Sequence, residues 1–158
     1  MNTDVNRRTQ QFDIYAAEVG LDRGRAFDSV DEVQAFVDDL RETWWWPRWY
    51  DRLARVEVGP ARSRRKAVGW YDHEMGAGRI EVPPAMRTEL TIVHELSHVV
   101  AEVYHGSKSH DPAFAREYAR LTYLVRGSAA WLRLYDAYTG YGIEYDVEIN
   151  RGPEVHRC

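Results

Sequence analysis

Residues 91–118 read TIVHELSHVVAEVYHGSKSHDPAFAREY, and the organisation of the chain is legible outward from this stretch. Leu90, Val93, Val100 and Val103 recur at helical spacing up to Gly106, a residue suited to ending a helix in the left-handed conformation. This predicts a helix over about residues 86–104. Asp111 followed by Pro112 then reads as an N-cap with proline at the first helical position, opening a helix through about residue 125. Ser128 reads as the cap of one more helix, to about residue 138.

Within the first of these helices, His94-Glu95-Leu96-Ser97-His98 forms an HExxH run. Residues four apart on a helix differ by about 40° in azimuth and about 6 Å along the axis, so two imidazoles converge on one cation. Glu95, about 100° round from His94, reaches a water on that cation without being a ligand itself. A catalytic zinc site asks for a third protein ligand. His105 lies seven residues past His98, about 10.5 Å further along the axis, and cannot share their metal while the helix continues. His105 reads instead as a helix C-terminal residue favoured by the dipole. Gly106 breaks the helix, and residues 107–109 can return the chain, which favours His110 as third ligand. Asp111 and Glu117 are rivals for that place.

Working back toward the N-terminus, residues 66–72 (KAVGWYD) and 79–82 (RIEV) flank HEMGAG and read as a β-hairpin. Pro83 and Pro84 end its second strand. The segment TWWWPRWYDRLARVEVG, residues 43–59, holds four of the six tryptophans. Pro47 either starts a short helix there or breaks an aromatic strand, and the tryptophans read as core filler. Ser29 with Glu32 three residues on is a capping box ahead of the apolar stripe Val30, Val33, Phe36, Val37 and Leu40. Phe12, Tyr15, Ala16 and Val19, followed by Gly20, predict a short amphipathic helix over residues 9–19. The tail, residues 139–158, reads as mostly irregular.

The chain has 158 residues, 44% of them apolar and 29% charged, enough for one ordinary core and one domain spanning residues 1–158. No apolar run approaches the roughly 20 residues that span a bilayer, and the start MNTDVNRRTQ lacks the apolar region of a signal peptide. The expectation is a cytoplasmic protein without membrane partners. One cysteine, Cys158, supplies neither an internal disulfide nor a cysteine-based zinc ribbon, so a metal here is held by histidines and carboxylates. The net charge of −4 gives no general attraction to nucleic acid. Charge is nonetheless uneven, with residues 1–40 at net −5 and residues 41–66 at net +5, the latter including Arg62, Arg64, Arg65 and Lys66.

The order hairpin, HExxH helix, short loop and then His110-Asp111-Pro112-Ala113-Phe114 opening a helix resembles SprT-like and minimal zincin metallopeptidases over residues 66–125. In that family the third ligand stands in an HGxxF or HGxxW motif; here Asp111 stands at the glycine position. With Tyr15-Ala16-Ala17-Glu18, the chain is also similar to a family of uncharacterised actinobacterial and phage metallohydrolases. The resemblance implies an α+β, zincin-like fold: a small antiparallel sheet or hairpin packed on the HExxH helix, with additional helices. It implies that an extended peptide pairs with the hairpin's edge strand.

The resulting expectation is a zinc-dependent hydrolase, a metallopeptidase with zinc on His94, His98 and His110 and with Glu95 as general base, acting on a peptide or protein substrate. Tyr71, His73, Tyr141 and Tyr145 are available as oxyanion donors. The alternatives are a zinc-stabilised binding module without catalysis and an SprT-like protease acting at DNA.

Overall fold

Local capping chemistry sets where the helices begin and end. The computed structural model describes residues 3–145. Cys158 and residues 146–158 of the expected irregular tail lie outside the described residues. Within them the chain is α+β, with six helices and one three-stranded sheet. Among the described residues no helix is long and apolar enough to cross a membrane. The chain divides into two compact units, one of residues 22–108 and the other of residues 1–21 with 109–158.

In the first unit, helix α2 (Val30–Arg41) starts at Ser29, whose hydroxyl accepts the Glu32 N–H. The reciprocal half of the box is displaced by one residue: the Glu32 carboxylate accepts the Asp28 N–H at 3.0 Å, rather than that of Ser29. Val33, Val37 and Leu40 of the predicted stripe are buried. The tryptophan-rich segment resolves into a single helical turn, α3 (Trp46–Trp49), with Pro47 in its first turn. Trp45 and Trp46 are buried, as core filler would be, and meet Tyr50 edge to face, but Trp44 is 69% exposed.

The sheet consists of β1 (Val56–Pro60), β2 (Val68–Asp72) and β3 (Ala77–Val82), in the order β1-β3-β2. The predicted hairpin is β2 and β3, antiparallel, with Asp72 opposite Ala77. Of the expected small antiparallel sheet or hairpin, the hairpin is present, but the sheet is mixed because β1 pairs parallel with β3. Both open edges meet side chains. The Gln34 amide donates to the Val56 carbonyl at 3.0 Å and accepts the Val58 N–H at 2.8 Å, replacing a strand along β1. On β2, the Glu102 carboxylate accepts the Tyr71 N–H at 2.9 Å. The basic run Arg62, Arg64, Arg65 and Lys66 lies exposed between β1 and β2.

Helix α4 (Glu89–His105) packs on β2 and β3. It starts three residues later than the sequence suggests, because Pro84–Met86 forms a 3-10 turn and Thr88 is the N-cap. Its first-turn N–H groups, which have no partner inside a helix, are met by the Thr88 hydroxyl and by the carbonyls of Arg25 and Arg23. Strand and helix touch backbone to backbone: a Cβ at Gly69 would collide with the Glu95 carbonyl, so only glycine fits there. At the other end Gly106 adopts φ +65°, and Ser107 N–H returns to the Ala101 carbonyl.

The second unit is helical. Helix α1 runs Thr3–Val19, longer than the predicted stretch, and packs against α6 (Ser128–Tyr141), which in turn packs on α5 (Pro112–Arg126). Asp111 caps α5 as predicted, its carboxylate accepting the Phe114 N–H at 3.0 Å. Ser128 is the first residue of α6 rather than its cap; Gly127, at φ +88°, holds that place. The helix also extends into the stretch expected to be irregular, ending at Gly142.

Candidate metal centre

Helix α4 is buried over most of its circumference, and four of its buried residues are polar: His94, Glu95, Ser97 and Glu102. Burying such groups is costly unless they are bonded or used. Ser97 donates back to the Val93 carbonyl at 2.6 Å. Glu102 is tied to the sheet through Tyr71 N–H, with His73 Nε2 and Lys108 Nζ each 3.4 Å from its other oxygen. His94 and Glu95 stand in the middle of the helix with His98 one turn on, and the rings of His94 and His98 lie 5.1 Å apart at 62°. The helical period thus places the two imidazoles together, as the spacing requires.

Gly106 ends the helix, and the chain through residues 107–109 brings His110 to the same place. One ring nitrogen from each of His94, His98 and His110 lies within 4.8 Å of the other two, so the three sit close enough to bind a metal ion. His94 and His110 are buried and His98 is partly so. Among the described residues no fourth histidine, cysteine, aspartate or glutamate joins this group.

The other candidates have different surroundings. Asp111 is the N-cap of α5. Glu117 is fully buried and faces Arg120 at 3.2 Å and Arg116 at 3.8 Å. His105 is the last residue of α4. Of the proposed oxyanion donors, Tyr71 and His73 sit together at the end of β2 with their rings 5.0 Å apart, beside Glu102. Tyr141 ends α6, and Tyr145 stacks on Tyr138 at 5.3 Å.

Tyr15, read from the sequence only as part of the first helix and of the Tyr15-Ala16-Ala17-Glu18 run, also meets the site. Its ring meets the His110 ring edge to face at 5.1 Å, while Phe114 meets His110 at 4.7 Å. Phe114 stands at the phenylalanine position of the HGxxF-like run read from the sequence, in the first turn of the helix that Asp111 caps. Comparison with known protein families, with curated proteins and with solved structures finds no match to this chain.

Proposed function

We propose that this chain is a zinc-dependent hydrolase, a metallopeptidase of the zincin kind. The observation that carries the reading is the three-histidine cluster, which no fourth histidine, cysteine, aspartate or glutamate joins among the described residues, with Glu95 next to His94 in the sequence. A structural zinc site closes its shell with four protein groups, whereas a catalytic one leaves a position open, and three imidazoles fit the second pattern. An all-imidazole donor set suits zinc.

His94, His98 and His110 hold the ion. When bound, zinc supplies Lewis acidity and lowers the pKa of a water toward about 7. Glu95 accepts the proton of the attacking water on a carboxylate oxygen. As the carbonyl carbon gains its bond to oxygen and loses its bond to nitrogen, Glu95 delivers that proton to the leaving amine. Burial of Glu95 keeps competing water away from this transfer.

A peptide substrate is favoured by the position of β2. It is an edge strand packed directly on α4 at Glu95, and the residues whose backbone groups point outward alternate along it. Glu102 takes the Tyr71 N–H. Gly69, of the same parity, offers its N–H and C=O to an extended peptide beside the general base.

Replacing Glu95 with Gln tests the role of the carboxylate. The variant is expected to keep about one zinc per chain while turnover of a mixed fluorogenic peptide library falls by about 10²-fold or more. Unchanged turnover, or a zinc-loaded wild-type chain that cleaves no peptide in the library, overturns the reading.

A further inference from the structure

We infer that Tyr15 is a positioning residue for the third metal ligand, a ring that fixes the plane of His110 and thereby ties helix α1 to metal affinity. The inference rests on the metal site proposed above and extends it to a residue outside the HExxH helix and its loop. A ligating imidazole binds through a lone pair lying in the plane of its ring, so whatever sets that plane sets where the nitrogen aims. The helix that carries His94 and His98 restricts their first side-chain torsion. His110 stands outside the helices, in the connection ahead of α5.

Two rings flank the His110 imidazole. Phe114 meets the imidazole at 4.7 Å and 67°, Tyr15 meets it at 5.1 Å and 60°, and both are edge-to-face arrangements of the favourable kind. Phe114 belongs to the turn that Asp111 caps, and its position follows from the start of α5. Tyr15 comes from a distant part of the sequence and is held by its own helix. Its neighbours Ile14 and Ala17 are buried, the Glu18 carboxylate accepts the buried Tyr118 hydroxyl at 2.6 Å, and the Gln10 amide reaches the Glu144 carbonyl at 3.2 Å. These attachments fix α1 against α5 and α6, and Tyr15, 42% exposed, meets His110 with its ring. Groups that orient a ligand from outside the coordination shell change metal affinity by about 10–100-fold when removed.

Zinc affinity of the full chain, measured by competition with a chromophoric chelator, separates the possibilities, with the visible spectrum of the cobalt-loaded chain as second readout. Tyr15→Phe keeps the ring and is expected to bind zinc within about threefold of wild type with the same cobalt spectrum. Tyr15→Leu removes the ring and is expected to weaken zinc about 10–100-fold and to alter the cobalt bands. Phe12→Leu, an exposed aromatic elsewhere on α1, is the control for general loosening of the helix and is expected to change neither readout. Wild-type affinity in Tyr15→Leu overturns the inference, as does an equal loss in Tyr15→Phe, which would assign the effect to the hydroxyl, or in Phe12→Leu, which would assign it to the helix as a whole. A wild-type chain that takes up no zinc refutes the metal site itself.

Discussion

Tyr118 and Tyr138 are fully buried, and their phenols carry a consequence for stability. Burial pushes both well above the ordinary phenol value of 10.0, and the nearby Glu18 carboxylate pushes both further in the same direction. Because the folded pKa is raised, the native chain holds these protons where the unfolded chain has released them. The stabilisation is therefore complete below about pH 10 and is lost as pH rises from there toward the folded value. Each phenol contributes a slope of about 1.4 kcal/mol per pH unit in that window. Urea unfolding between pH 9 and pH 11 is expected to show stability falling steeply above pH 10, and less steeply in Tyr118→Phe. That variant also loses the hydrogen bond to Glu18, a cost of about 1 kcal/mol at neutral pH. Equal slopes for the two proteins would mean that Tyr118 does not titrate as its burial requires.

Among the elements, those whose ends are written within three or four residues were legible in the sequence. Ser29, Asp111 and Gly106 each act where their side chain, or lack of one, predicts. The hairpin was legible because its turn and both strands are contiguous. Strand β1 was not, since VEVGP is five residues long and its parallel pairing with β3 depends on partners 22 residues away, such as Val56 opposite Gly78. Its other edge is completed by Gln34, a side-chain contact that no local pattern announces. The caps offer a direct test of roles. Asp111→Ala is expected to cost about 1 kcal/mol of stability by removing the bond to Phe114 N–H, and to leave zinc binding at one ion per chain. Loss of the ion from this variant would make Asp111 a ligand rather than a cap.

Across the whole molecule, the candidate site was legible in part. The pairing of His94 with His98 follows from the helical period alone. The third member did not: His110, Asp111 and Glu117 were all within reach of a chain turned at Gly106. The structure separates them by use: His110 joins the cluster, Asp111 caps α5, and Glu117 faces Arg120. The contact of Tyr15 with His110 was hidden for a different reason: the helical spacing of Tyr15 announces a helix, but its partner in the fold is far away in sequence. Elemental analysis of the purified chain, paired with His94→Ala, His98→Ala, His110→Ala and Glu117→Gln, addresses the metal centre most directly. About one zinc per wild-type chain, retained in Glu117→Gln and lost from each histidine variant, is the expected result. A wild-type chain that stays free of divalent metal in excess zinc, or His110→Ala holding its ion as tightly as wild type, would contradict it.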